Sequence, residues 1–434
     1  MGTRVYIETW GCQMNLHQSE GIAGVLEQAG LSVVDRLEDA DVVLFNGCMV
    51  RGKAEEKLLG RIGAVAEEKR RRDVLLGVGG CFGQIHGDGL FRRSKSIDFV
   101  FGTRQHGALP GLIETARERR ASLLSAEDDA SLEETPFRRS GAVTAMVTIT
   151  EGCSNACAYC IVPRARGPMR SRSPEAILAE VRGAVQAGRR EVLLLGQNVN
   201  AYGRDQPDVG GFAMLLGRVA GEGPARIRFT SSHPRDMTQE ILDVMAEHGN
   251  VCRHLHLALQ SGSDRVLAAM NRGYRCDAFL RIVDAARRTL PGINITTDLI
   301  VGFPGETEAD FEETLAVVRN VRFGSIYAAK FSPRPGTRAA ALIDTVTSEE
   351  KEARLARVLE IERAMAAEEN ARCIGRTLVV LVEERAKDGR YVGRADDHRT
   401  VVADGCARVG DLVGVRILGS SASARTGTME SPAP

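Results

Sequence analysis

Three cysteines stand close together near the middle of the chain, at positions 153, 157 and 160, in the spacing C-x3-C-x2-C. Three thiolates on one short loop can hold three irons of a cubane iron–sulfur cluster and leave the fourth iron without a protein ligand. An open metal position is where a metal centre does chemistry. A zinc site that lacks one ligand, or three unrelated thiols, is the plainer alternative. Because the loop directly follows a predicted strand, the spacing predicts a 4Fe–4S cluster held by Cys153, Cys157 and Cys160.

Three further cysteines, Cys12, Cys48 and Cys81, are far apart in the sequence, yet each follows a predicted strand by at most three residues. The carboxyl ends of parallel strands share one edge of a sheet, where ligands bind. Each cysteine also has glycine beside it, which lets the backbone pass closely around a bulky group. Three buried cysteines at strand ends are the alternative. We predict a second cluster with three thiolate ligands.

The other four cysteines share no spacing pattern, and we interpret them as buried or incidental residues: Cys252, Cys276, Cys373 and Cys406.

The bulk composition is that of an ordinary globular protein with more than one domain. The chain has 434 residues, 43% of them hydrophobic and 26% charged. Its 57 basic and 57 acidic residues balance, which argues against non-specific coating of nucleic acid. The sequence has no run of eighteen apolar residues and no signal-peptide pattern at its start. We therefore expect a cytoplasmic protein without a membrane partner, whose ten cysteines are not a disulfide framework.

Strand and helix patterns alternate over residues 1–115, which favours an α/β fold with an open parallel sheet. The predicted strands there are Arg4–Thr9, Asp41–Asn46, Val74–Val78 and Phe99–Phe101. The next stretch, 116–141, is polar and lacks a period, and we interpret it as an interdomain linker.

A second α/β series fills residues 142–371, and the last part of it is a helical connector, Ser348–Arg372. Six strand–helix repeats favour a (βα)6 partial barrel. Its predicted strands are Thr144–Ile149, Glu191–Leu195, Arg226–Phe229, His254–Leu259, Asn294–Ile300 and Ile326–Phe331. Residues 372–427 contain short β runs with glycine-containing turns, which predict a small antiparallel β-barrel, and 428–434 form a tail.

Short motifs surround both sets of cysteines and recur at the predicted strand ends: Trp10-Gly11-Cys12-Gln13-Met14-Asn15, Gly79-Gly80-Cys81, Glu151–Gly167, Leu195–Asn200, Gln260–Asp264, Val301–Thr307 and Phe331–Thr337. Together they resemble the methylthiotransferase family of radical S-adenosylmethionine (SAM) enzymes over essentially the whole chain. The Gly-Cys-Gln-Met-Asn form resembles the MiaB type within that family. The second cysteine motif departs from the family pattern, since Gly47 and Met49 stand where threonine and serine are common. Trp10 replaces the usual tyrosine.

The resemblance implies two 4Fe–4S clusters and S-adenosyl-L-methionine as cofactors. The first cluster would cleave SAM to a 5′-deoxyadenosyl radical, and the second would carry the sulfur that another SAM methylates. The implied substrate is tRNA that carries N6-isopentenyladenosine beside the anticodon. The implied reaction adds a methylthio group at carbon 2 of the adenine. A flavodoxin- or ferredoxin-like electron donor is the implied partner, and the sulfur source is unknown.

Candidate SAM contacts lie in the cysteine loop and at predicted strand ends: Tyr159, Gln197, Asn198, Asn200, Gln260, Ser261 and Asp298. Amides and hydroxyls at these places can hold a carboxylate, an ammonium group or a ribose. Tyr159 either lies near the adenine or packs the loop. Asp298 interrupts an apolar strand and either meets an ammonium or hydroxyl group or is a solvated carboxylate. We interpret His256 as a core histidine.

Between positions 372 and 425, ten Lys and Arg residues outnumber seven Asp and Glu residues. A basic β-barrel suits contact with an RNA backbone, although a solvated surface has the same composition. By resemblance this region is TRAM-like. Two other functions stay open: methylthiolation of a different tRNA base or of a protein side chain, and a non-catalytic iron–sulfur protein that binds RNA or senses redox state.

Overall fold

The computed structural model describes residues 2–49, 52–124 and 135–430. The middle of the predicted linker, the last four residues of the predicted tail, and Val50 and Arg51 beside the second cysteine motif lie outside the described residues. Within the described ranges, no helix is long and apolar enough to cross a membrane.

The N-terminal region is a six-stranded sheet in which every neighbouring pair of strands is parallel. Its strands are β1 (Arg4–Trp10), β2 (Ser32–Val34), β3 (Val42–Gly47), β4 (Leu75–Gly79), β5 (Phe99–Phe101) and β6 (Ala121–Leu123), in the order β2-β1-β3-β4-β5-β6. Its helices are α1 (Gln13–Gln28), α2 (Gly52–Glu68), α3 (Gly80–His86), α4 (Gly89–Arg93) and α5 (Leu109–Glu118). The predicted open parallel sheet is confirmed.

The two outermost strands, β2 and β6, differ from the prediction. Neither was expected, and β6 lies inside the stretch interpreted as linker. Each has three residues, and none of their side chains is fully buried. An edge strand pairs on one side only, so a short one leaves little hydrophobic pattern in the sequence.

The central strand β3 is buried along its whole length because helices cover both faces of the sheet. Ile22 of α1 and Ile113 of α5 pack on one face, and Leu58 of α2 and Phe82 of α3 pack on the other. This burial explains why β3 is a continuous apolar run, as is usual for an inner parallel strand.

The middle region contains two three-stranded parallel sheets, β7-β10-β11 and β12-β13-β14, joined by the bridges Ile227–Val251 and Ser232–Leu257. The strands are β7 (Thr144–Thr148), β8 (Thr150–Glu151), β9 (Arg170–Ser171), β10 (Glu191–Leu195), β11 (Arg226–Phe229), β12 (His254–His256), β13 (Asn294–Val301) and β14 (Ser325–Lys330). Together the six parallel strands form the expected partial barrel. Its two end strands, β7 and β14, each pair with one neighbour among the described residues.

Eight helices accompany this barrel: α6 (Val162–Arg166), α7 (Pro174–Gln186), α8 (Phe212–Gly221), α9 (Gln239–Glu247), α10 (Asp264–Ala269), α11 (Cys276–Thr289), α12 (Glu308–Val321) and α13 (Ser348–Ala371). The connector α13 starts at a capping box in which the side chain of Thr347 accepts from the Glu350 amide.

The C-terminal region is a closed barrel with the strand order β15-β16-β17-β19-β18. Its strands are β15 (Thr377–Arg385), β16 (Tyr391–Ala395), β17 (Thr400–Asp404), β18 (Leu412–Ser420) and β19 (Arg425–Met429). The predicted barrel is confirmed, with one refinement: β17 and β19 pair in parallel, and the other pairs are antiparallel.

This small barrel docks beneath the central one. The first residue of β11, Arg226, donates to the Val379 carbonyl (2.8 Å), and the first residue of β13, Asn294, donates to the Asp397 carbonyl (2.7 Å). The small barrel therefore contacts the amino ends of the central strands, whereas the cysteine loop follows the carboxyl end of β7.

Candidate active site

Strand register brings the three distant cysteines to one edge of the N-terminal sheet. Trp10 of β1 pairs with Gly47 of β3, and Gly47 bridges to Gly80 at the start of α3. Cys12, Cys48 and Cys81 follow these three residues by one or two positions. The structure thus brings together the thiols that the strand ends predicted, with Cys48 and Cys81 buried and Cys12 exposed.

Glycines make this close approach possible. Gly11 has φ +147°, and a Cβ there would lie 2.6 Å from the Cβ of Cys48. Gly80 has φ +70°, and a Cβ there would lie 2.1 Å from Oδ1 of Asn46. The departure at Gly47 also has a local reason, because Leu58 and Phe82 occupy the space of a side chain at that position.

Two asparagines connect the first cysteine to the end of β3. The Cys12 thiol donates to Oδ1 of Asn15 (3.3 Å), and Asn15 in turn donates to Oδ1 of Asn46 (3.1 Å). Asn46 donates back to the Asn15 carbonyl (3.0 Å) and to Ser19 (2.9 Å). Since Asn15 and Asn46 are fully buried, this network fixes where the Cys12 thiol stands.

The loop of Cys153, Cys157 and Cys160 is held at its base by pairing of β8 with β9. The Cys153 amide donates to the Gly167 carbonyl (3.1 Å), and the Cys160 amide donates to the Cys157 carbonyl (3.2 Å). Further along, the amide of Ala158 donates to the Met270 carbonyl (2.8 Å). The loop is therefore fixed both to its own base and to the chain after α10.

Burial keeps several of these thiols protonated. It raises the pKa of Cys81 and of Cys153, and it raises the pKa of Cys160 to about 12. Metal binding must therefore displace protons from these sulfurs. Among the described residues, no three His, Cys, Asp or Glu side chains converge on a single ion. A cubane cluster needs no such convergence, because its ligands bind different irons, so the two thiol groups fit it.

Arg272, which the sequence analysis did not single out, lies against the cysteine loop. Its Nη1 donates to Sγ of Cys157 (3.4 Å) and to the hydroxyl of Tyr159 (3.3 Å), and its Nη2 donates to the Ala258 carbonyl (2.7 Å). The arginine is 4% exposed. Tyr159, a candidate for SAM binding, is thus anchored beside the thiols, and burial raises its pKa well above the usual value.

Three of the predicted SAM contacts have buried amide atoms without a partner among the described residues. Gln197 has neither its Oε1 nor its Nε2 hydrogen-bonded, and Gln260 has an unpartnered Oε1. Asn198 donates to Asp236 (2.6 Å), but its Oδ1 is unpartnered. Buried polar atoms are normally satisfied, so orphaned amides at the carboxyl ends of barrel strands suit a polar ligand.

Two other predicted contacts have partners inside the protein. The side chain of Asn200 exchanges two hydrogen bonds of 2.9 Å with the backbone of His233. The hydroxyl of Ser261 is fully buried, lies 3.3 Å from that of Thr314 and accepts from the Ser263 amide (3.2 Å). In this structure both residues position loops, and their contact with SAM stays a prediction.

Asp298 lies at one end of a hydrogen-bonded row of side chains on β12 and β13. Its Oδ2 is 3.1 Å from Nε2 of His256, whose Nδ1 is 3.1 Å from the Thr296 hydroxyl. That hydroxyl is 3.0 Å from Nε2 of His254. The Asp298 side chain is 42% exposed, so the row holds a carboxylate that remains open to a ligand.

The donors and acceptors in this row of hydrogen bonds can be assigned from their chemistry. A carboxylate only accepts, so His256 donates from Nε2 and accepts at Nδ1 when neutral. Thr296 must then donate to His256 and accept from Nε2 of His254. Nδ1 of His254 is left without a hydrogen, in agreement with its being buried and without a partner in the described part of the chain. His256 is therefore a buried histidine, as expected, but one that orients Asp298.

The short helix α6 joins the two cysteine sites. Its Ala165 and the preceding Ile161 pack in the hydrophobic core of the N-terminal region, and Thr103 donates to the Ala165 carbonyl (2.9 Å). Burial lowers the pKa of Arg166, the last residue of α6, but the thiols of Cys81 and Cys12 raise it more. It is the second residue that the sequence analysis missed, although it stands only six positions after Cys160.

The remaining four cysteines differ in burial. Cys252 and Cys373 are buried, Cys276 is half-buried and Cys406 is exposed. The buried thiols agree with the expectation of small core residues.

Three family models match successive parts of the chain. They are the Radical SAM superfamily over residues 147–318, the Uncharacterized protein family UPF0004 over 4–102, and the TRAM domain over 371–422. The three matches coincide with the central barrel, the N-terminal sheet and the small closed barrel.

Solved structures share the fold at low sequence identity. The radical S-adenosylmethionine methyltransferase TsrM from Kitasatospora setae, solved with cobalamin and a [4Fe-4S] cluster, has a TM-score of 0.58 and 14% identity. That match covers 78% of this chain and 77% of TsrM. The cobalamin-dependent radical enzyme OxsB has a TM-score of 0.52 and 12% identity over 83% of this chain and 56% of its own. These two matches establish the fold alone.

Sequence relatives are much more similar and share one name, tRNA-2-methylthio-N(6)-dimethylallyladenosine synthase. The relative from Thermobifida fusca is 46% identical, with coverage of 96% of this chain and 87% of its own. The relative from Geobacter metallireducens is 44% identical, with coverage of 95% of both chains. At this identity over nearly its whole length, the chain belongs to the methylthiotransferase family of radical SAM enzymes, among the tRNA-2-methylthio-N(6)-dimethylallyladenosine synthases.

Proposed function

We propose that this protein adds a methylthio group to carbon 2 of N6-isopentenyladenosine beside the anticodon of tRNA. The observation that carries the proposal is the presence of two separate cysteine triads, one on a single loop and one assembled by strand register, in a chain 46% identical to a relative with that name.

Cys153, Cys157 and Cys160 would hold one 4Fe–4S cluster, and Cys12, Cys48 and Cys81 would hold the other. When bound, the clusters and SAM supply the radical and the sulfur chemistry that amino-acid side chains lack. The work of the chain is then to place two cofactors and one base within reach of each other. Helix α6 begins just after the central cysteine loop and packs against the N-terminal region, which supports the placement of the two clusters near each other.

The SAM site would lie at the carboxyl ends of the central strands. Gln197, Asn198 and Gln260 offer buried amide atoms that no described residue satisfies, and Asp298 offers an oriented carboxylate. Tyr159, held by Arg272, would border the same space. Asn200 and Ser261 would contact SAM from the loops that they also hold in place.

We assign the parts of the chain as follows: residues 1–115 hold the second cluster, 116–141 link, 142–371 carry the radical chemistry, 372–427 bind tRNA, and 428–434 form a tail. Recognition of the base itself belongs near the clusters, because a modified base must leave its stack to be reached. A flavodoxin- or ferredoxin-like electron donor and a cytoplasmic location complete the proposal.

The decisive experiment is mass spectrometry of tRNA nucleosides from a strain that lacks this gene. N6-isopentenyladenosine should accumulate, and its 2-methylthio derivative should disappear and return on complementation. A strain that keeps the 2-methylthio nucleoside and instead loses a different modification would overturn the substrate assignment. Formation of 5′-deoxyadenosine by the purified protein separates an enzyme from an iron–sulfur sensor.

A further inference from the structure

Arg272 is a buried cation that lies directly on the loop of the central cysteines. Its side chain donates to Sγ of Cys157 (3.4 Å), to the hydroxyl of Tyr159 (3.3 Å) and to the Ala258 carbonyl (2.7 Å). Its Cζ also lies 5.4 Å from the centre of the Tyr274 ring. These contacts fix a planar donor group beside one of the sulfurs assigned to the central cluster.

The residues just before Arg272 hold the same loop through its backbone. The Met270 carbonyl accepts from the Ala158 amide (2.8 Å). The Asn271 side chain donates to the Ala156 carbonyl (2.8 Å). The position of the arginine relative to the cysteine loop is therefore set by hydrogen bonds on both sides of the contact with sulfur.

The protein supplies no carboxylate as a counter-ion for Arg272. Across residues 2–49, 52–124 and 135–430, no Asp or Glu forms an ion pair with it. The carboxylate of Asp236, in the segment after β11, pairs with Arg204 and Arg235 instead. Nε of Arg272 is buried and has no partner that the structure describes. Since an arginine stays charged and a buried charge is costly unless it is paired, the site suits an anionic group beside this side chain.

Arg354 shows the more usual arrangement for a buried arginine. It is as enclosed as Arg272, and its Nη1 lies 2.8 Å from Oε2 of Glu306. Arg272 has a cysteine sulfur where Arg354 has a carboxylate. A thiolate that binds a 4Fe–4S core carries negative charge, so it can balance the guanidinium in the same way.

We propose that Arg272 is a positioning residue of the central cluster site, which donates a hydrogen bond to the Cys157 sulfur and offsets the charge of the cluster held there. The inference rests on the proposed function in one respect, that the central triad holds a cluster. Hydrogen bonds to the sulfurs and the net charge of the site help to set the potential of such a cluster. Arg272 thus gives the protein a part in how readily the cluster accepts an electron.

The test uses the full chain with Cys12, Cys48 and Cys81 replaced by Ala, so that only the central cluster remains. Into this background go Arg272→Gln, Arg272→Lys and the matched control Arg354→Gln, which removes a buried arginine that is paired with a carboxylate. Iron content is measured, together with the midpoint potential by redox titration followed by electron paramagnetic resonance. The unfolding temperature is measured before and after the protein is loaded with iron and sulfide.

Reduction adds negative charge to the cluster, so a fixed cation that donates to a ligand sulfur favours the reduced form. Arg272→Gln should shift the potential to more negative values. Arg272→Lys should shift it less, because the charge stays and only the forked contact is lost. Arg354→Gln should lower the unfolding temperature, since it leaves a buried carboxylate unpaired, and should leave the potential nearly unchanged.

A folded Arg272→Gln protein with full iron and an unmoved potential overturns the inference, as does an equal shift in Arg354→Gln. If Arg272→Gln is folded but holds no iron, iron retained in Arg272→Lys supports the need for a cation, whereas iron lost from both variants overturns it. If Arg272→Gln does not fold, the potential of Arg272→Lys decides in the same way. A background protein without iron defeats the central cluster itself, and with it the proposed function.

Discussion

The two cysteine sites are built in opposite ways. The central site takes Cys153, Cys157 and Cys160 from one loop of eight residues, fixed by β8 and β9 at its base. The N-terminal site takes Cys12, Cys48 and Cys81 from three strand ends. Its cysteines come together only if Trp10 of β1 pairs with Gly47 of β3 and Gly47 bridges to Gly80. A local loop can keep its ligands together when the surrounding fold loosens. A site made by register depends on the whole sheet, so the two should fail under different perturbations.

The largest expected effect comes from removal of either triad. The intact protein should hold about eight irons as two 4Fe–4S clusters, and either Cys→Ala triple should retain about four. Loss of the central triad should abolish cleavage of SAM. Loss of the N-terminal triad should leave cleavage but end methylthio transfer. Iron analysis and chromatography of 5′-deoxyadenosine give the answer. Full iron in the Cys12/Cys48/Cys81 triple would refute the N-terminal site.

A smaller change tests the same comparison, because each site includes a glycine at positive φ with no room for a side chain. A Cβ at Gly80 would lie 2.1 Å from Asn46, and a Cβ at Gly152 (φ +74°) would lie 2.1 Å from the Pro168 carbonyl. Each Gly→Ala change should cost about 1–3 kcal/mol of backbone strain before any repacking. Gly80→Ala should lower iron at the N-terminal site and Gly152→Ala at the central site.

The control for both is Gly60→Ala in α2, where a Cβ would meet no described atom within 4 Å apart from its chain neighbours and the backbone of its own helix. Alanine loses less conformational freedom in a helix, so this variant should gain about 0.5–1 kcal/mol of unfolding free energy and keep all its iron. Equal iron loss from both sites in Gly80→Ala would show that the two sites are not independent.

A third change concerns the row of side chains that orients Asp298. Thr296→Val keeps the shape but removes the hydroxyl between His254 and His256, and an unpaired buried group costs about 1–3 kcal/mol. We expect the SAM concentration for half-maximal 5′-deoxyadenosine formation to rise about tenfold, which corresponds to about 1.4 kcal/mol. Thr296→Ser restores the hydroxyl and should behave like the parent. An unchanged SAM dependence in Thr296→Val would remove Asp298 from the SAM site.

The smallest effects are expected on the surface of the C-terminal barrel. Seven of its ten basic residues are exposed: Arg372, Arg376, Arg385, Lys387, Arg390, Arg408 and Arg416. Replacing Arg376 or Lys387 by Gln should weaken tRNA binding modestly and reduce the slope of affinity against salt by about one per lost phosphate contact. Cleavage of SAM without tRNA should not change. Salt slopes equal to that of the parent would make these residues a solvated surface.

Arg425 serves as the contrasting variant for that experiment. It is 3% exposed and donates to Asp397 (2.7 Å) and to Asn370 of α13 (3.1 Å). Arg425→Gln should therefore lower the unfolding temperature, and any loss of tRNA affinity should follow from loss of structure.

The sequence was sufficient for features whose cause is local. The bounds of β5, β10 and β11 were predicted to the residue, because each is a buried run between clear breaks. The central cysteine loop needed only its spacing. The N-terminal triad needed topology as well, and the inference succeeded because the ends of parallel strands meet at one edge.

The sequence was insufficient where a partner comes from a distant segment. Arg272 donates to Cys157, which is 115 positions away in the sequence, and no local sequence pattern predicts that contact. Arg166 follows Cys160 by six positions in the sequence, yet the thiols that raise its pKa are Cys81 and Cys12 of the N-terminal site. Asn200 and Ser261 show a second difficulty. The sequence does not reveal that these polar side chains form hydrogen bonds with the backbone of neighbouring loops.

The strand order of the C-terminal barrel has a consequence for the order in which the protein is made. The strand β19 lies between β17 and β18 and pairs in parallel with β17, so it closes the barrel from within rather than extending an edge. A ribosome delivers β19 after every other strand, and domains generally fold in the order of their synthesis. The barrel cannot close until Met429 has emerged, by which time both cysteine sites are already synthesised. The surface assigned to RNA is therefore completed after both predicted cysteine sites have been synthesised.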